Sequence, residues 1–280
     1  MASLKSKGNF ANRMQLFAPS HAVSEILGLA ERPDVISLAG GLPDPSIFSL
    51  QAIRESMERV MNDEAETALN YGPNLGISSL REWVADRMQR LEDVRVQKSN
   101  ILITSGGVDG LNLTSMALLN KSDVVLIEAP TYMVALHIFR TYEAQLVSVA
   151  TDELGLNPDA LEERLKDLKR SGISPKFLYV IPSFQNPSGR TTTIDRRKKI
   201  AELCQTFGVP IVEDHAYAEL AYDKSPIPSF KSIDTDNVIF VHTFSKIFGP
   251  GVRLGWVAGT ASLVKRLGLC KLGTDQCANS

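Results

Sequence analysis

The sequence predicts an α/β fold, a mostly parallel sheet of seven strands covered by helices. Three observations point there. Short apolar runs recur at residues 101–103, 124–127, 146–149, 177–181, 210–212 and 238–241, with a seventh at 254–258. Helical patterns separate most of them, the alternation of a parallel, doubly covered sheet. Apolar content of 44% and charged content of 22% are those of a soluble globular chain.

Composition narrows the function classes. At 280 residues the chain can hold one large domain with ample core. A net charge of −2 lacks the basic footprint of a nucleic-acid binder. No apolar run reaches the roughly eighteen residues of a membrane span. Cys204, Cys270 and Cys277 are odd in number and lack metal-site spacing. They read as reduced thiols of a cytoplasmic protein with no metal centre. Residues 1–24 carry Lys5, Lys7 and Arg13 and no acid, a faint likeness to a transit peptide, and they lack an apolar secretory core.

Taken in order, Pro19 and Ser20 open a short helix over 19–30, with Val23, Ile26, Leu27 and Ala30 on one face. Residues 36–45 run from an extended piece into a Gly/Pro loop. Its paired Gly40 and Gly41 let backbone approach a ligand, or simply turn the chain. A helix follows over 50–61. Beyond Tyr71-Gly72-Pro73, the residues Ile77, Leu80, Val84, Met88 and Leu91 step by threes and fours along an amphipathic helix. Strands then alternate with helical patterns at 110–119, 134–142, 158–169 and 194–207, and a last helix begins near Leu263. The expected division is an N-terminal arm and helix, 1–45, and a large domain, 46–280.

Ligands of open α/β sheets bind beyond the carboxyl ends of the strands. After 101–103 comes Thr104-Ser105-Gly106-Gly107-Val108-Asp109-Gly110, a glycine turn opening a helix whose amides suit a phosphate. It matches neither the P-loop nor the dinucleotide fingerprint. After 124–127 comes Tyr132, able to stack on a flat ring or to pack. After 177–181 comes Asn186, a neutral donor or a turn cap. After 210–212 come Glu213 and Asp214, two acids costly to bury unless paired, with Tyr217 beyond. After 238–241 come Thr243, Ser245 and Lys246, then Pro250-Gly251-Val252-Arg253. Two hydroxyls, loop amides and the Arg253 fork can hold a phosphate dianion beside the Lys246 amine. Each feature has a plain alternative: a turn, a packing tyrosine, a solvated lysine. Together the five strand ends match one aromatic phosphorylated aldehyde.

Asn186-Pro187-Ser188-Gly189, Asp214-x-x-Tyr217, Ser245-Lys246 and Pro250-Gly251-x-Arg253 resemble the signature of fold-type I, class I/II pyridoxal-phosphate aminotransferases. Residues 36–45, Tyr71-Gly72-Pro73, Phe177-Leu178-Tyr179 and 185–189 resemble the 2-aminoadipate (kynurenine/aminoadipate-type) branch. The resemblance runs from about Pro19 to the last residue. It implies pyridoxal 5′-phosphate as cofactor, with Lys246 forming the Schiff base and shuttling a proton. It implies that Asp214 pairs with the ring nitrogen, that Asn186 and Tyr217 bond the phenolate oxygen, and that Tyr132 stacks on the ring. It also implies that Gly107 and Val108 (by backbone amides), Thr243, Ser245 and Arg253 hold the phosphate, that Tyr71 reaches the phosphate of a neighbouring subunit in a homodimer, and that Gly41 and Asn186 face the substrate. The implied reaction moves an amino group between an L-amino acid (2-aminoadipate, aromatic or large aliphatic) and a 2-oxo acid such as 2-oxoglutarate.

Relatives of this branch usually place Ser and Gln where Gly107 and Val108 stand, and Thr where Ser188 stands. The family also carries a small C-terminal domain whose arginine binds the substrate carboxylate. No residue up to Ser280 matches it, so a truncated product is the expectation. A lyase or decarboxylase of the same fold and an inactive truncated form are the alternatives. A ligand-sensing regulator domain is disfavoured, because only about twenty residues precede the first matched helix.

Overall fold

The computed structural model describes residues 11–16, 28, 29, 32, 34–36, 41–222 and 227–279. They fall into two units, Met1–Ile47 and Phe48–Ser280. The predicted helix over 19–30 lies outside the described residues except for Gly28 and Leu29, as do residues 37–40 of the Gly/Pro loop. In the first unit the described structure includes 3-10 turns at Asn12–Leu16 and Pro45–Ile47.

In the second unit the strands are β1 (Ile101–Thr104), β2 (Val124–Ala129), β3 (Gln145–Asp152), β4 (Gly155–Leu156), β5 (Phe177–Val180), β6 (Ile211–Asp214), β7 (Val238–Thr243) and β8 (Gly255–Ala258). The helices are α1 (Leu50–Asp63), α2 (Ala65–Ala68), α3 (Ser78–Glu92), α4 (Gly107–Leu118), α5 (Met133–Thr141), α6 (Pro158–Arg170), α7 (Ile194–Phe207), α8 (Phe230–Ile233) and α9 (Ala261–Leu272). One sheet has the order β1-β8-β7-β6-β5-β2-β3-β4. It corrects the expected seven strands to eight. The addition is β4, a two-residue return that pairs antiparallel with Thr151 and Asp152 at the end of β3.

The pairs β2–β3, β2–β5, β5–β6 and β6–β7 are parallel. β8 lies antiparallel between β1 and β7. Hence β1, β2, β5, β6 and β7 all run the same way, and their carboxyl ends line one edge.

Strand periodicity sorts the core. Val125, Ile127, Phe177, Tyr179, Val212 and Val241 face Leu111, Phe139 and Leu267 of α4, α5 and α9. Their neighbours Leu126, Leu178, Val180 and Ile211 face Leu161, Leu165, Ile200 and Cys204 of α6 and α7. A third cluster puts Val84 and Met88 of α3 against Ile101, Ile103, Phe240 and Trp256. Each fully buried aliphatic or aromatic side chain contributes about 1.5–3 kcal/mol, so both faces hold the strands in register. Local signals fix the ends. Asn157 caps α6 through Oδ1, which accepts from the Asp159 and Ala160 amides at 2.9 and 3.1 Å. Gly208 ends α7 in the left-handed conformation, φ 66°. Helix α4 starts at Gly107, three residues before the expected 110, which puts Gly107 and Val108 in its first turn.

Candidate active site

The phosphate-suited end is built by β1, β7 and the loop before β8. Gly106 sits at φ +97°, and a Cβ there would lie 2.5 Å from Arg253 Nη2. A side chain at Gly255 would meet the His242 carbonyl at 2.6 Å and Gly106 backbone at 2.8 Å. Glycine at both positions lets the β1–α4 turn press against β8 and leaves the guanidinium room. Arg253 holds a left-handed backbone, φ 52°, the kind of strain tolerated where surroundings over-determine it. Its Nη2 donates to the Ser105 carbonyl at 3.0 Å and its Nη1 to the Pro250 carbonyl at 3.2 Å. A guanidinium has five N–H donors, so these two bonds aim it without exhausting it. Thr243 Oγ1 donates to Ser245 Oγ at 2.9 Å and accepts from the Ser245 amide at 3.1 Å. A Cβ on Gly107 would stand 3.5 Å from the Thr243 Cβ, so the first turn of α4 and both hydroxyls converge. First-turn amides have no partner within their helix. The result is a cradle of donors.

The other pole is Asp214, which ends β6 in the interior. Burial pushes its carboxyl up to about 6, opposed by the hydrogen bond that Tyr179 Oη donates to Oδ2 at 2.8 Å. Among the described residues it has no lysine or arginine ion pair. Its neighbour Glu213 is answered differently: it accepts from the amides of Phe230 and Lys231 at 3.1 and 2.9 Å and lies 3.4 Å from His215 Nδ1.

Of the remaining predicted residues, Asn186, Tyr217, Lys246 and Tyr132 gather at the same edge. Asn186 Nδ2 stands 3.5 Å from Tyr217 Oη, and Lys246 Nζ is 5.6 Å from the Tyr217 ring centre. Burial lowers the Lys246 ammonium below its ordinary value. Tyr132 is half-buried and its phenol is pushed up to about 12, first by burial and then by the charge of Asp214. Tyr71 is 84% exposed, with no described contact to this edge. Gly41 belongs to the first unit. Val108 lies in the first turn of α4 and is exposed.

Sequence reasoning missed the residues that hold this arrangement. Tyr179 is one; a tyrosine near the end of a buried strand needs a hydroxyl partner, and that signal was available. Gln185 is another. Its Nε2 donates to the Pro130 carbonyl at 2.7 Å and its Oε1 accepts from the Ser188 amide at 2.9 Å, which ties the Asn186 loop to the Tyr132 loop. Arg197, wholly buried on α7, donates to the carbonyls of Thr192 and Pro182 and to Ser183 Oγ at 2.8–2.9 Å, fixing the base of the same loop.

Comparison with known proteins follows the same line. Residues 33–271 match the family model described as aminotransferase class I and II. The chain is 40% identical over 259 residues to aromatic-amino-acid aminotransferase 1 of Thermococcus litoralis, covering 92% of this chain and 62% of that protein. A Pyrococcus horikoshii kynurenine aminotransferase, solved in complex with PMP, KYN and KYA, superposes with a TM-score of 0.91 at 38% identity. That match covers 97% of this chain and 67% of the other. LysN, the α-aminoadipate aminotransferase of Thermus thermophilus complexed with N-(5′-phosphopyridoxyl)-L-leucine, gives a TM-score of 0.82 at 32% identity. Coverage there is 94% of this chain and 68% of LysN. The chain therefore spans about two thirds of the length of the proteins it matches.

Proposed function

The chain belongs to the class I and II aminotransferases, and on that premise we propose that it binds pyridoxal 5′-phosphate at the carboxyl edge of its sheet and moves amino groups between L-amino acids and 2-oxo acids. One observation carries this reading. A buried carboxylate with no lysine or arginine partner, Asp214, shares an edge with a donor cradle on neighbouring strand ends, and Lys246 lies beside Tyr217 on that edge. The residues fit the group at both ends. A protonated ring nitrogen would satisfy Asp214, and a phosphate dianion would satisfy the amides of Gly107 and Val108, the hydroxyls of Thr243 and Ser245, and Arg253.

When bound, pyridoxal phosphate supplies a conjugated ring that withdraws electrons from the substrate Cα. The chain's residues then have distinct tasks. Asp214, held by Tyr179, keeps a proton on the ring nitrogen. Tyr217 and Asn186 offer donors to the ring oxygen, and Tyr132 covers the ring. Lys246, its basicity lowered by burial, keeps a larger neutral fraction able to take a proton at Nζ and return it. Arg253 and the hydroxyls anchor, so the reacting carbon is positioned without being rigidly held. Asn186 also serves the substrate.

Similarity to aromatic, kynurenine and α-aminoadipate aminotransferases supports 2-aminoadipate, aromatic and large aliphatic amino acids as donors, with 2-oxoglutarate as acceptor. The exposed ring of Tyr71 supports a homodimer in which it reaches the partner's phosphate. The test is a panel of amino donors with 2-oxoglutarate, run on the full-length gene product with Lys246→Ala as control. Glutamate should form from the donors named, and only with Lys246 in place. Normal turnover by Lys246→Ala, or release of ammonia and pyruvate without an acceptor, would contradict the reading.

A further inference from the structure

Behind the cradle lies an ion cluster, centred on one buried lysine, that none of the roles above uses. Lys271, in the last turn of α9, has a side chain with no solvent exposure. Its ammonium donates to Asp109 Oδ2 at 3.1 Å and to both oxygens of Asp275 at 2.7 and 2.8 Å. Both carboxylates converge on one residue of the cradle turn. Asp109 accepts from the Ser105 amide at 2.9 Å, and Asp275 accepts from the Ser105 hydroxyl. The third polar group of Ser105, its carbonyl, takes the bond from Arg253 Nη2. Every hydrogen-bonding group of Ser105 is thus committed, and two of the three lead through a carboxylate to Lys271.

We infer that Lys271 is a positioning residue of the phosphate cradle: it fixes Ser105, and through it Arg253, while neutralising two carboxylates that would otherwise repel a phosphate dianion. The inference rests on the proposed function, since it concerns the phosphate of pyridoxal phosphate. The charge balance makes the case. Asp109 and Asp275 carry two negative charges to the turn where a dianion would sit; Lys271 and Arg253 cancel them. Without Lys271 the cluster is net negative, with Arg253 left as the one cation against the two carboxylates. Lys271 is buried and Asp109 largely shielded, so their attraction acts at an effective dielectric below that of water, and removing the lysine leaves Asp109 uncompensated, whereas the exposed Asp275 is screened more. A lysine that merely pinned α9 onto α4 would affect stability but not discrimination between a phosphorylated and an unphosphorylated ligand.

The experiment measures that discrimination. Cofactor-free chain is titrated with pyridoxal phosphate and, separately, with pyridoxal, following the visible absorbance. Lys271→Met, and the milder Lys271→Gln that keeps hydrogen-bond donors, should each lose about ten-fold or more in affinity for pyridoxal phosphate while pyridoxal changes by no more than about two-fold. Adding Asp109→Asn to Lys271→Gln, which restores the charge balance, should recover most of the loss. Equal losses for both ligands, or no loss for either, would overturn the inference. Absence of pyridoxal phosphate binding by the unsubstituted chain would instead overturn the functional reading, and this inference with it.

Discussion

At the scale of single residues, Asp214 shows stability given up for a site. Its carboxyl has an ordinary value of 3.8, and burial takes it up to about 6. The native chain therefore holds an extra proton between those values. The group's contribution is fully favourable below about pH 4 and is lost as pH rises through 6. By linkage the cost at neutral pH is about 3 kcal/mol in the cofactor-free protein. Asp214→Asn should accordingly stabilise that protein by about 1–3 kcal/mol at pH 8 and have almost no effect at pH 3.5. Urea denaturation at the two pH values checks this. A variant as stable as, or less stable than, the parent at pH 8 would show that Asp214 is well solvated or already paired. Lys246 follows the same physics with the opposite sign, since burial lowers an ammonium.

At the scale of elements, helix α3 is joined to the sheet behind the site by charge. His215, directly after Asp214, is fully buried. Burial opposes its charge, yet Glu213 and Glu92 outweigh that and raise it to about 10. Nε2 lies 2.9 Å from Glu92 Oε1 on α3, and Nδ1 lies 3.4 Å from Glu213 Oε1 on β6. The His242 ring, from β7, stands 5.6 Å away. A histidine raised in the fold gives stability that is complete below about pH 6.5 and lost as pH climbs through 10. The imidazole of His215 should thus remain doubly protonated at pH 8 in a nitrogen-15 NMR titration, and His215→Leu should flatten the fall in stability between pH 7 and 10. A His215 that deprotonates near 6.5 would contradict this account. These links were the less legible part of the sequence. Strands β1, β2, β5, β6 and β7 stood out as continuous apolar runs because both faces are covered, and the polar residues just beyond them then read as a site. Strand β4 has two residues and no period to detect. Tyr179 with Asp214, Ser105 with Asp275, and His215 with Glu92 are pairs distant in sequence, so only strand order and helix packing bring them together.

At the scale of the whole molecule, common strand direction explains why candidate residues far apart in the sequence come to one edge. Five strands that run one way deliver their following loops to a single edge, whatever the order of strands within the sheet. The antiparallel direction of β8 could not be read from its apolar run, yet it is what carries Arg253 back toward β1 and Gly106. Val108 is exposed, and the proposed cradle draws on the first-turn amides of α4, the hydroxyls of Thr243 and Ser245, and Arg253. The chain spans 62% of the T. litoralis aromatic aminotransferase, and the family match over residues 33–271 holds the whole proposed cofactor edge. Cofactor capture is therefore the property to measure. The chain is incubated with pyridoxal 5′-phosphate, reduced with borohydride, digested and mapped by mass spectrometry. The account predicts one dominant modified lysine, Lys246, with labelling abolished by Lys246→Ala. Labelling spread over surface lysines, unchanged in Lys246→Ala, would contradict it.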